Sequence, residues 1–198
     1  MNRSPCARTA LLACSAAAMT IAAHPAHGDI IITGQQIGND VVFTGGGSVD
    51  LSTWQYVSTV PQSPGLQANN ALVIGPNPQT VDIYIAPLNF TGPAAIGPGT
   101  DIVFASTGSG DPFGFSWVFG LEGIFVPAGY NSGDPIVDST ATFTNHTLAS
   151  LGLTEGEYTW TWDTTIGGTD FITVNIIPAP GALAAFGCAA FMRRRRRR

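Results

Sequence analysis

Between Asp29 and Ile177 the chain has one histidine, His146, and no cysteine, lysine or arginine. A nucleophilic hydrolase would need that imidazole beside a hydroxyl and a carboxylate, and Ser139, Ser150 and Asp138 are its neighbours in sequence. No Gly-x-Ser-x-Gly elbow is present to expose a serine, so a solvated loop position fits His146 better. Glycoside hydrolysis needs two facing carboxylates, for which Glu155, Glu157, Asp163 and Asp170 are the candidates. Acidic residues at strand ends more commonly keep a surface soluble. For a metal the candidates are Asp111, in a Gly-Ser-Gly-Asp-Pro turn, and Asp163 and Asp170, which flank Gly167-Gly168. Oxygen-rich turns of this kind suit Ca²⁺, although no Asp-x-Asp-x-Asp-Gly loop occurs and a turn aspartate often bonds its own backbone. Trp54, Tyr56, Trp160 and Trp162 raise carbohydrate stacking, but the alternation of Tyr158, Trp160 and Trp162 predicts one shared buried face. The expectation is a noncatalytic protein without a resident cofactor.

The elements that must position these residues follow a period of two. Ile30/Ile32, Val41/Phe43, Val81/Ile83/Ile85, Ile102/Phe104, Phe113/Phe115/Trp117/Phe119, Tyr158/Trp160/Trp162 and Ile172/Val174/Ile176 each put apolar residues on one strand face. Gly- and Pro-rich turns separate the runs, among them Gly45-Gly46-Gly47, Gly75-Pro76-Asn77-Pro78 and Gly133-Asp134-Pro135. The pattern predicts an all-β domain over residues 29–176, an antiparallel β-sandwich of jelly-roll-like or Ig-like type. The one helical candidate is a turn or two over His146 to Leu153. Asn89-Phe-Thr and Asn145-His-Thr match glycosylation sequons, a short pattern that carries little weight here.

Charge divides the 198 residues into three zones. All thirteen acidic residues lie from Asp29 to Asp170, while the eight basic ones are Arg3, Arg8 and Arg193 to Arg198. The central domain therefore carries 0 − 13, a net −13. It has no cation to neutralise phosphates, which argues against nucleic-acid binding. Its fold must rest on apolar burial and backbone hydrogen bonds, and the three cysteines, all in the end zones, give it no disulfide framework.

The N-terminal zone, MNRSPCARTALLACSAAAMTIAAHPAHG, has a positive flank, an apolar run from Thr9 to Ala23 and a small-residue junction at Ala26-His27-Gly28. That is the pattern of a secretory signal peptide over residues 1–28, with Ala23 and Ala26 as alternative cleavage points. Leu11-Leu12-Ala13-Cys14 approaches a lipobox, but the apolar run continues past Cys14, which reads as one more small apolar residue. There is no Arg-Arg pair in this zone. The C-terminal zone, residues 177–198, reads IPAPGALAAFGCAAFMRRRRRR. Ala182 to Met192 is uncharged, and as a helix it would span about half of a bilayer core about 30 Å thick. Arginines behind it would stay on the cytoplasmic side while the domain is exported.

Pro178-Ala179-Pro180, a short apolar helix and the cluster Arg193, Arg194, Arg195, Arg196, Arg197 and Arg198 resemble the PEP-CTERM sorting signal, with Ala179 where that family's core has glutamate. The Val-Pro-Ala-Gly-Tyr turn, the Leu-Ala-Ser-Leu-Gly-Leu-Thr bend and the Tyr-Thr-Trp-Thr-Trp strand are similar to the ectodomain that often precedes such a tail. The resemblance implies an exported cell-surface or extracellular-matrix protein of a Gram-negative-type bacterium. It also implies passage through the inner membrane and processing by signal peptidase and an exosortase, a membrane-embedded cysteine transpeptidase. It brings no catalytic residues. An extracellular carbohydrate- or Ca²⁺-binding module, with exopolysaccharide as partner, is the second expectation, and a secreted hydrolase the third.

Overall fold

The structure is a computed structural model and describes residues 28–117, 122–165 and 167–178. The expected signal peptide up to His27, Phe119, and the tail from Ala179 with its apolar helix and arginines lie outside the described residues. Within them every regular element is a strand. One sheet contains β1 (Asp29–Ile37), β2 (Asp40–Ser48), β8 (Thr107–Ser109), β11 (Pro135–Phe143), β12 (Gly156–Asp163) and β13 (Thr169–Ile177). Its order is β12-β13-β1-β2-β11-β8. The other contains β3 (Gln55–Gln62), β4 (Gly65–Gln67), β5 (Ala71–Ile74), β6 (Gln79–Ile85), β7 (Val103–Phe104), β9 (Phe113–Ser116) and β10 (Gly123–Pro127), in the order β3-β6-β10-β9-β5-β4-β7.

Alternation decides which face each strand buries. Ile30, Ile32, Val41, Phe43, Ile172 and Val174 of the first sheet are fully buried. They share one apolar cluster with Leu72, Ile74, Phe115, Ile124 and Val126 of the second, so the two sheets pack face to face as a sandwich. Removing this apolar surface from water is the main stabilising term. The β1–β2 hairpin turns on Gly38-Asn39 with positive φ only at Gly38, 63°, the pattern of a type II′ turn that follows strand twist. In β11 the register shifts between Ile136 and Ser139, with Asp138 at φ 53°. This bulge resets the alternation, so Ser139, Ala141 and Phe143 all point inward with Ile136.

Two expectations are corrected. The sheets are not wholly antiparallel: β1 and β13 run parallel through seven registered pairs, from Asp29–Phe171 to Gln35–Ile177. Ile102 and Phe104 are both 63% exposed and Ile85 is half-exposed, because alternation selects a face without supplying a cover for it, and β7 is a two-residue edge strand. The segment His146 to Leu153 forms a single capped turn, the shorter of the two lengths expected. A segment this short cannot offset the cost of helix nucleation.

Candidate functional site

The turn that carries His146 shows what its polar groups do. The Thr147 N–H donates to Ser150 Oγ at 2.8 Å, and the Ser150 N–H donates to Thr147 Oγ1 at 3.0 Å. This is a reciprocal capping box with serine in the place usually held by glutamate. The far side closes as a Schellman motif: Leu153 N–H bonds Leu148 C=O, Gly152 N–H bonds Ala149 C=O, and Gly152 sits at φ 66°. The side chains of Leu148, Leu151 and Leu153 enter the core. His146 Nδ1 lies 3.3 Å from Ser150 Oγ, so its one near hydroxyl is already engaged in the cap. Ser139 is fully buried and donates to the Asp111 carbonyl, and Asp138 occupies the bulge. Ser150 thus belongs to the capped turn, and Asp138 and Ser139 to the β11 bulge.

The carboxylates separate in the same way. Glu157 and Asp163 lie at opposite ends of β12, six residues apart or about 20 Å, well beyond the roughly 5–9.5 Å of a glycosidase pair. Glu155 precedes the strand and is exposed. Asp163 is exposed, accepting from Asn89 Nδ2 at 2.8 Å. Asp170 is fully buried on the neighbouring strand, where its oxygens accept the N–H groups of Gly28 at 2.9 Å and Asp50 at 3.0 Å. Asp111 accepts the Val137 N–H at 3.0 Å. Among the described residues no three His, Cys, Asp or Glu side chains converge as a metal centre.

The tryptophans form an internal aromatic spine. Trp54, Trp117, Trp160 and Trp162 are all buried. Trp160 stacks on Trp117 at 5.1 Å and 30° while its Nε1–H donates to the Pro93 carbonyl at 3.0 Å. Trp162 meets Trp54 edge to face at 5.1 Å and 85°. Tyr56 is 52% exposed and pairs with Tyr84 rather than with a tryptophan. Burial, then the Asp82 charge, raises the Tyr84 phenol above its ordinary value.

Sequence reading missed two features. Tyr130 and Asp82 clasp loops to the sheets: Tyr130 through Val49 and Asp134, Asp82 through the Gly129 N–H at 2.8 Å and the Thr59 hydroxyl. No local pattern marks the bonds to Val49, Gly129 and Thr59, since those partners are 81, 47 and 23 residues away in the chain. The second is a shallow recess of about 570 Å³ on the outer face of the six-stranded sheet. Its floor is Gly46, where a Cβ would come 2.9 Å from the Ile136 carbonyl oxygen. Ile31 and Val137 line it as apolar ribs, with Thr33, Thr44, Ser109 and Thr140 supplying hydroxyls and Asp138 the one carboxylate. The Gly45-Gly46-Gly47 run was the available signal, read only as a turn.

No family model matches the chain, and neither a curated protein nor a solved structure matches it.

Proposed function

We propose that this is an exported, noncatalytic cell-surface or extracellular-matrix protein, sorted through a C-terminal exosortase-type signal. The observation that carries the reading is the segregation of charge: every arginine lies in the two end zones and every acid in the domain between them. The domain's own chemistry is in keeping, since Ser150, Asp111, Asp163 and Asp170 are each engaged in hydrogen bonds that hold turns or strands together. Signal peptidase acts on the N-terminal zone. The apolar run from Ala182 holds the precursor transiently in the inner membrane, and an exosortase-type transpeptidase cuts near Pro178-Ala179-Pro180.

Mass spectrometry of the native protein's termini tests the reading, with and without deletion of residues 178–198. The expected mature form ends near the Pro-Ala-Pro step. An exported chain that keeps all six terminal arginines overturns processing.

The recess floored by Gly46 supports a second reading, contact with a neutral exopolysaccharide. Its hydroxyls and apolar ribs suit a sugar chain, and the domain has no cation to attract an anionic one. Thr44→Lys would fill the recess, and unchanged polysaccharide retention by that variant would remove this reading.

A further inference from the structure

Gly28 is buried, and it is part of the fold rather than an appendage to it. Its N–H donates to Asp170 Oδ1 at 2.9 Å, and its carbonyl accepts the Phe171 N–H at 3.4 Å. Both partners lie on β13. The other Asp170 oxygen accepts the Asp50 N–H at 3.0 Å. One fully buried carboxylate therefore joins the start of β1, the connection after β2 and the start of β13. Residue 28 also has no room for a side chain: a Cβ would come 2.6 Å from Asp170 Oδ2 and 2.7 Å from the Asp50 nitrogen.

This geometry discriminates among the three small-residue junctions of the leader. Hydrolysis of the Gly28–Asp29 bond would discard the glycine, removing an N–H donor from a shielded carboxylate and an acceptor from Phe171. It would also leave a free α-ammonium group at the first rung of the β1–β13 ladder, which begins at Asp29–Phe171. Hydrolysis after Ala26 or after Ala23 keeps every one of these bonds. We propose that the leader is cut upstream of Gly28, at Ala26–His27 or Ala23–His24, and that Gly28 remains in the mature protein as the clasp closing β1 onto Asp170. Water adds across that one peptide bond, giving a new carboxylate on the released leader and a new amine on the domain. The proposal rests on the export reading above.

Intact-mass measurement of the full chain exported from a bacterial host tests it. A mature N-terminus at His24 or His27 is expected, and a terminus at Asp29 overturns the proposal while leaving export standing. An uncut terminus at Met1 removes the export reading, and the proposal with it. The full-length Gly28→Val variant gives a second readout, because signal peptidase requires a small residue before the cut. With cleavage upstream, the ratio of precursor to mature chain stays as in wild type and the mature protein melts about 3–8 °C lower. With cleavage after residue 28 the valine blocks processing and precursor accumulates. Accumulated precursor, or an unchanged melting temperature, overturns the assignment.

Discussion

Tyr130 and Val49, 81 residues apart, are joined where the Val49 N–H donates to the tyrosine oxygen at 2.9 Å. The hydroxyl in turn donates to the Asp134 carbonyl at 2.5 Å. Burial is the largest influence on this phenol and raises its pKa above 10.0; the backbone bond to Val49 opposes the shift, and nearby aspartate charges add to it. A group whose folded pKa is raised contributes stability that is complete below the unfolded value and lost as pH climbs through the folded one. The protein should therefore lose stability above about pH 10. Tyr130→Phe should lower stability near neutrality by about 1 kcal/mol and flatten the alkaline loss. Thermal melts from about pH 8 to about pH 11 measure both effects.

Trp162 is almost fully buried against Trp54. Trp162→Ala should cost about 3–5 kcal/mol in urea unfolding, from lost transfer energy and the cavity left behind. Leu88, fully exposed, provides the contrast: Leu88→Ala should stay within about 0.5 kcal/mol of wild type.

The capped turn supplies a graded pair. Thr147→Ala removes one arm of the capping box and should cost about 1 kcal/mol. Gly152→Ala should cost more, because φ is 66° and the new Cβ would meet Gly99 Cα at 2.3 Å. Equal losses in denaturant titrations of the two variants would contradict the Schellman geometry.

Much of this was legible in the chain, and what was not has a physical reason. Alternation placed Ile30/Ile32, Val41/Phe43 and Trp160/Trp162 on buried faces, since a period of two is a property of the strand itself. The same rule misplaced Ile102 and Phe104, because what covers a face is decided by strands elsewhere. The parallel pairing of β1 with β13 joins strands at the two ends of the domain, and nothing local to either announces it. The fates of Asp163 and Asp170 were illegible for a related reason: they flank one hairpin, yet one faces solvent and the other is sealed inside.

Self-repulsion should make the mature domain sensitive to salt. With a net charge of −13 and no cationic side chain to offset it, melting temperature should rise as sodium chloride shortens the Debye length from about 30 Å at 0.01 M to about 10 Å at 0.1 M. Calcium chloride at matched ionic strength should add nothing further. An extra calcium-specific rise would instead revive the Asp111, Asp163 and Asp170 candidates.

The ladder from Asp29–Phe171 to Gln35–Ile177 has a mechanical consequence. Because its strands run the same way, Gly28 lies beyond one end and Pro178 beyond the other, about 26 Å away. A domain anchored through Pro178 and pulled by whatever grips the Gly28 end would be stretched along β13. That strand is held on both sides, by β1 and β12. The tension would fall across all of those rungs together, in shear, instead of peeling them apart one at a time.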